Sequence, residues 1–271
     1  MSTTTVKTKT PISYYGGKQK LASFIVSLLP EHSVYVEPFF GGGAVFWQKP
    51  SSKHEVINDL NHQLITFYKV LKYRFEEFSD VLDETFHSRA QHAYAKKVYR
   101  DDTIEDDILK AWAVFVQTNS SFGNKIAGGY RFDRAGQSTK AYNRKKEAVQ
   151  TQKEYKDRLQ NVNIECQDAL KVIDSYDSES TVFYCDPPYI ESDCGHYTGY
   201  TPEAYAKLLT KLSTIKGKFI LSSYPDPILE SFTRRMNWNQ IEKQFKISVN
   251  NRPGTPAKIK TEVITMNYSL N

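Results

Sequence analysis

Seven stretches of the chain carry apolar residues either continuously or at every second position, with Val, Ile, Phe and Tyr prominent: SVYVEPF, KHEVIND, VNIECQD, TVFYCDP, GKFILSS, QIEKQFKISV and TEVITMNY. Each has the length and period of a β-strand. Apolar residues recur at helical spacing in KQKLASFIVSLL before the first strand, in AVFWQ after it and in PEAYAKLLTKL after the fourth. The last opens with Thr201 as cap and Pro202 at the first helical position. Strands alternating with helices predict an α/β fold, a mostly parallel sheet with helices on both faces.

The alternation lapses between about residues 61 and 160. LITFYKVLKYRFEEFSDVL and IEDDILKAWAVFVQ read as helices, and Thr103 and Asp106 have capping-box spacing. NSSFGNKIAGGYRFDRAG, from Asn119 to Gly136, alternates glycine, asparagine and aromatic residues as a hairpin or an ordered loop would. The pattern predicts a main domain assembled from residues 1–60 and 161–271, with a helical insertion over 61–160 that carries a basic, Gly-rich arm.

Composition agrees and narrows the class. A chain of 271 residues can bury one sizeable core and still carry a satellite. No apolar run approaches the roughly 20 residues needed to span a bilayer, so a soluble protein is expected, with no membrane partner. Three cysteines, Cys166, Cys185 and Cys194, are too few for a disulfide framework, and the amino terminus lacks the apolar core of a secretory signal. These features suit a reducing cytoplasm. The histidines and acids show no ligand spacing, so no metal is expected. The net charge is only +5, but residues 125–158 hold ten Lys/Arg against four acids, an excess of six in one segment. Such a run is either a solvated helix face or a surface for phosphates.

The first strand ends in VYVEPFFGGGAVFW. Gly41, Gly42 and Gly43 let the backbone turn tightly and let a ligand lie against the main chain at the carboxyl edge of the sheet. The spacing differs from the GxGxxG diphosphate fingerprint, which leaves a nucleoside-like cofactor without a dinucleotide. Asp59 ends the second strand, where a carboxylate can accept from both ribose hydroxyls. Asp168 follows the third, where it either meets an adenine amino group or caps a short helix. Ahead of all these, Tyr14 and Tyr15 can cover one side of a ligand, and Lys18 starts a helix from which it can reach a carboxylate such as that of S-adenosylmethionine.

The fourth strand ends in CDPPY. Asp186 stands at the strand end, and Pro187 and Pro188 fix the torsions after it while removing two amide donors. The result is a rigid set of acceptors. A carboxylate and a main-chain carbonyl can each take one hydrogen of an exocyclic amino group and aim its lone pair at an electrophile, while Tyr189 stacks on the base. Cys185, one residue earlier, should face the opposite side and pack; Cys194 lies in a polar loop.

SYYGGKQKLASFIVSLLP, FFGGGAVF and then CDPPY about 145 residues later resemble, in that order, the Dam-like family of DNA adenine-N(6) methyltransferases. The resemblance covers nearly the whole chain. It implies a Rossmann-like seven-stranded methyltransferase sheet with a terminal antiparallel strand, S-adenosylmethionine as methyl donor (S-adenosylhomocysteine as product), no metal, and an adenine flipped out of double-stranded DNA. Carried over by position, Tyr14, Lys18, Glu37, Phe40, Gly41, Gly42, Gly43, Asp59, Asp168 and Asp186 would hold the cofactor. Glu37 replaces the family's commoner Asp. Asp186, Pro187, Pro188 and Tyr189 would form the catalytic loop, with Ser222, Ser223 and Tyr224 near the target pocket. The insertion would be the target-recognition domain. Its candidate DNA contacts are Asn119, Ser121, Asn124, Lys125, Arg131, Arg134, Lys140 and Arg144. The family also implies the cytoplasm of a bacterial or phage-infected cell and, in restriction-modification pairs, a cognate restriction endonuclease.

Overall fold

The structure, a computed structural model, describes residues 9–189, 200–246 and 259–270. Among them are the seven expected strands: β1 (Val34–Glu37), β2 (His54–Asn58), β3 (Val162–Glu165), β4 (Thr181–Cys185), β5 (Lys218–Ser223), β6 (Asn239–Lys246) and β7 (Ile259–Met266). The last residues of the sixth predicted stretch, and Cys194, lie outside the described residues. The strands form one sheet in the order β3-β2-β1-β4-β5-β7-β6. Neighbours from β3 to β5 run parallel. β7 is antiparallel to β5, and β6 to β7.

Strand alternation sorts the side chains into two cores. On one face, Tyr35, Ile57, Tyr184, Ile220 and Ile264 pack with α1 (Ala22–Leu28). On the other, Val36, Phe183, Cys185, Phe219 and Leu221 pack with α8 (Ala169–Tyr176), α9 (Pro202–Leu212) and α10 (Pro227–Met236). Helices therefore cover both faces, and Cys185 lies fully buried on the side away from Tyr184, as its place beside Asp186 predicts. Thr201 caps α9 by accepting from the Ala204 amide, with Pro202 at its start.

The long segment between β2 and β3 folds as α2 (His62–Tyr73), α3 (Phe75–Asp83), α4 (Arg89–Arg100), α5 (Asp107–Ser120), α6 (Gln137–Thr151) and α7 (Glu154–Leu159). Its apolar residues, among them Leu64, Phe67, Phe115 and Tyr142, belong to the same core as α1 and the first sheet face. Two ties fix its far end. The Lys72 ammonium donates to the Val162 carbonyl at 2.8 Å, and Arg158 of α7 and Lys49 both reach Glu55 at the start of β2. Burial pushes the Glu55 carboxyl up, but pairing with the two cations outweighs it and holds the group below its usual range.

Three local expectations need correction. AVFWQ makes a single turn after Gly43 and stops, because Pro50 follows too soon to supply the amide a longer helix needs. The stretch over residues 64–82 is two helices broken at Arg74 (φ −133°, ψ 38°), which turns Phe75, Phe78 and Leu82 of α3 inward. The cap of α5 is Asp106, whose carboxylate accepts from the Ile108 and Leu109 amides, while Thr103 is engaged with Asp101. The segment over 119–136 is a loop closed by one antiparallel bridge, Ser121 to Tyr130, around a short 3₁₀ turn.

Candidate functional site

Parallel strands order their carboxyl ends along one edge, and the sheet order changes direction between β1 and β4. The glycine turn after β1 and the DPPY loop after β4 therefore meet, although the sequence separates them widely. The turn is built by close approach. Gly43 has φ +63°, and a Cβ there would fall 2.3 Å from Phe40 Cζ; a Cβ on Gly42 would fall 2.9 Å from that of Tyr14. Tyr14 thus lies against the turn, as a cover would.

Side chains hold the turn from below. Asp59 accepts from the Gly41 amide through one oxygen and from the Asn61 amide through the other, both at 2.9 Å. The Tyr68 hydroxyl donates to the Gly41 carbonyl at 2.8 Å. Glu37 is buried, bonded by the Tyr35 hydroxyl, and burial pushes its carboxyl up to about 8 against the opposing bonds from Tyr35 and the Phe46 amide. It faces the segment beneath the turn. Asn58, missed in the sequence, joins the edge loops: its amide donates to the carbonyls of Pro38 and Gln167 and its oxygen accepts from the Gln167 amide. Asp168 takes the second of its two expected roles, capping α8 through the Leu170 and Lys171 amides.

Around Asp186 the structure gathers a charged cluster. The Lys18 ammonium, expected to reach a cofactor carboxylate, lies 2.7 Å from Asp186 Oδ1 and 4.7 Å from the centre of the Tyr189 ring. Residues 18–21 form turns, and α1 begins only at Ala22, so Lys18 precedes the helix rather than starting it. The Tyr189 hydroxyl donates to Glu262 of β7 at 2.7 Å and stands 3.3 Å from Asp186 Oδ1. Burial works against the Lys18 charge, but attraction to Asp186 and Glu262 outweighs it and raises its affinity for the proton. Burial pushes the Asp186 carboxyl up, and Lys18 pulls it the other way. Burial likewise raises Glu262, with Lys18 and Tyr189 opposing. The Tyr189 and Tyr224 rings touch edge to face, 4.2 Å between centres. A small pocket of about 50 Å³ opens beside them, lined by Pro188, Tyr189, Tyr205, Ser223, Tyr224 and Pro225 among others. Ser222 is buried behind it and pairs with the Tyr184 hydroxyl at 3.1 Å.

Glu262 was also missed, yet its signal was present. In TEVITMNY it shares the inward face with Ile264, a carboxylate where alternation calls for an apolar residue.

The candidate DNA contacts divide. Asn119 and Ser121 are buried: Asn119 Oδ1 accepts from the Ser13 amide, its amide donates to the Phe115 carbonyl, and the Ser121 hydroxyl meets His92. They build the loop and do not present donors outward, because the end of α5 where they sit is covered by the core. Asn124 and Arg131 hold the loop too, Arg131 donating to Asn124 Oδ1 and to the Asn119 carbonyl. Burial lowers the Arg131 guanidinium's proton affinity. Lys125 lies over the Tyr15 ring at 4.7 Å. Arg134, Lys140 and Arg144 are exposed, and so is Phe132. Much of the basic excess is internal: Lys145 and Lys146 donate to the carbonyls of Thr10 and Thr85, and Lys156 pairs with Glu76.

Residues 14–247 match the D12 class of N6 adenine-specific DNA methyltransferases, a span that includes Tyr14, the glycine turn and DPPY. The chain belongs to this family. It is 32% identical to the Type II methyltransferase M.MjaIII of Methanocaldococcus jannaschii, over 78% of this chain and 83% of that one. It is 28% identical to the Type II methyltransferase M1.LlaDCHI of Lactococcus lactis and 26% identical to the DNA adenine methylase of Salmonella typhi, each over 93% of both chains. This methyltransferase thus acts on adenine in DNA, and its α/β sheet is seven-stranded. Among the described residues no helix is long and apolar enough to cross a membrane.

Proposed function

We propose that the crevice between the glycine turn and the DPPY loop binds S-adenosylmethionine and an adenine extruded from duplex DNA, and that Asp186 directs N6 of that adenine at the methyl group. The observation that carries this reading is the adjacency of the two motifs at the point where the sheet order reverses. The residues fit the cofactor: a turn in which side chains at Gly42 and Gly43 would collide, with the Asp59 carboxylate beside it. When bound, S-adenosylmethionine supplies an electrophilic methyl group on a sulfonium centre.

The chain's own residues do the remainder. The glycine turn admits the cofactor to the main chain, Asp59 faces its ribose hydroxyls, and Tyr14 covers it. The Asp186 carboxylate and the Pro187 carbonyl each accept one hydrogen of the adenine amino group, which keeps the nitrogen lone pair out of the ring and in line for attack. The amino group sheds a proton as the new bond forms, and Asp186 is the acceptor in reach. Lys18 must yield Asp186 to the amino group for this to happen. Tyr189 and Tyr224 flank the base, and because their rings touch in the free protein, they part to receive it.

Segment 61–160 is then the target-recognition region, with Arg134, Lys140 and Arg144 neutralising phosphates. The Type II names of two relatives support a restriction-modification setting with a companion endonuclease. The cytoplasm of a bacterial or phage-infected cell is the workplace we propose. The decisive experiment is transfer of tritiated methyl groups to unmethylated duplex DNA. Asp186→Ala should abolish transfer while cofactor and DNA still bind; a mutant with full activity overturns the reading. RNA and protein run as parallel acceptors should remain unlabelled.

A further inference from the structure

Glu262 has a function in this arrangement that neither motif announces. It lies on β7 one residue before Val263, which pairs with Ser223 at the end of β5, so its side chain reaches the catalytic edge from the antiparallel part of the sheet. Toward the core this face is apolar, with Ile264 and Met266 fully buried, while the exposed Lys260 shares it at the other end of the strand and attracts the carboxylate. A carboxylate on such a face is costly unless it is hydrogen-bonded or paired. Here the bond comes from the Tyr189 hydroxyl at 2.7 Å, and the charge of Lys18 attracts it.

The Tyr189 hydroxyl stands between two carboxylates, nearer Glu262 than Asp186. It has a single hydrogen to give. Given wholly to Asp186, which the hydroxyl also meets at 3.3 Å, that hydrogen would occupy an oxygen meant for the substrate amino group. Given to Glu262, at the shorter distance, it leaves Asp186 the more available and holds the ring from β7. Resting on the reading of Asp186 and Tyr189 given above, we propose that Glu262 is a positioning residue: it anchors the Tyr189 hydroxyl, sets the plane of the ring that stacks on the target base, and draws the hydroxyl's hydrogen away from the catalytic carboxylate.

The test is a double-mutant cycle on the full chain, with S-adenosylmethionine and unmethylated duplex DNA as substrates. Glu262→Ala should lower kcat by about tenfold or more, the effect of a lost hydrogen bond to a charged group, with KM for S-adenosylmethionine changed less than about twofold. Tyr189→Phe keeps the ring and removes the hydroxyl, so adding Glu262→Ala to it should lower kcat by no more than about twofold further. Glu262→Gln, which retains an acceptor oxygen, should lie closer to the parent than Glu262→Ala. Parent-like kcat in Glu262→Ala, or losses that multiply in the double mutant, would overturn the proposal. Where Glu262→Ala does not fold, Glu262→Met fills the space without an acceptor and is held to the same criteria. Asp186→Ala, run in parallel, separates the two levels. Activity in it removes the underlying reading, whereas an inactive Asp186→Ala beside an unaffected Glu262→Ala removes only the role of Glu262.

Discussion

Replacing Gly43 by alanine adds one carbon at the most crowded point of the glycine turn. Two costs follow from the geometry. A residue with a Cβ at φ +63° loses about 1–2 kcal/mol relative to glycine. The new Cβ would also lie 2.3 Å from Cζ and 2.6 Å from Cε2 of Phe40. That ring cannot step aside, because it is buried edge to face between Phe46 and Tyr68, with centres 5.4 and 4.8 Å away. Overpacking of this kind costs about 1–3 kcal/mol, so the total is about 2–5 kcal/mol. For a chain of this size, at about 2 °C per kcal/mol, the melting temperature should fall by roughly 4–10 °C. Gly136→Ala is the matched control. Its φ is +71° but nothing lies within 4 Å of the added carbon, so it carries the conformational cost alone. Thermal unfolding of both variants, with calorimetric titration of S-adenosylmethionine, measures the difference. Gly43→Ala should be the less stable by the steric share and should bind the cofactor at least about tenfold more weakly. Equal melting temperatures for the two variants, or an unchanged affinity in Gly43→Ala, would refute the reasoning.

Glu37 gives a pH signature. Its carboxyl titrates near 8 when folded and near the ordinary 4.5 when unfolded, so the folded state holds the extra proton between those values. Its contribution is complete below about pH 4.5 and is lost as pH rises through 8, at up to about 1.4 kcal/mol per pH unit. Glu37→Gln should flatten the decline of melting temperature between pH 5 and 8, and an unchanged slope would rule out this origin. For DNA binding, Arg134→Ala, Lys140→Ala and Arg144→Ala combined should reduce the slope of log affinity against log salt by up to about 2.7, as three phosphate contacts require. Arg131→Ala should instead lower the thermal stability of the loop, since its guanidinium is spent on Asn124 and the Asn119 carbonyl.

What the sequence disclosed follows from the range of each signal. Apolar runs located all seven strands: central strands such as β4, buried on both faces, leave a continuous run, while the edge strand β6 keeps only an alternation. The same alternation placed Cys185 and Asp186 on opposite sides. Helices α4 and α6 escaped, since each hides only a few side chains, such as Ala95 and Val98 or Tyr142 and Val149, among many polar ones. The break at Arg74 escaped because its cause is tertiary: Phe75 and Phe78 must turn toward the core beneath α5. At the site, contiguous motifs were legible and pairings across the fold were not. Nothing local links Lys18 to Asp186, or Glu262 to Tyr189, until the strand order brings them together. The basic run showed the opposite failing. Its charge was plain, but half of it answers internal carbonyls and carboxylates, and only three-dimensional burial separates those residues from Arg134, Lys140 and Arg144.

The bonds between Asn58 and Gln167 have a consequence in polymer terms. They close a loop of about a hundred residues with two hydrogen bonds at its neck, one donated by the Asn58 amide to the Gln167 carbonyl and one accepted by Asn58 Oδ1 from the Gln167 amide, while a third, to the Pro38 carbonyl, ties the neck to the loop after β1. The entropy of closing so long a loop grows only with the logarithm of its length, and doubling it costs roughly 0.6 kcal/mol. The excursion between β2 and β3 can therefore lengthen or shorten at little thermodynamic expense, provided the neck stays shut. A change at Asn58 acts on every loop along that edge at once, whereas a change in length further out leaves the edge where it stands.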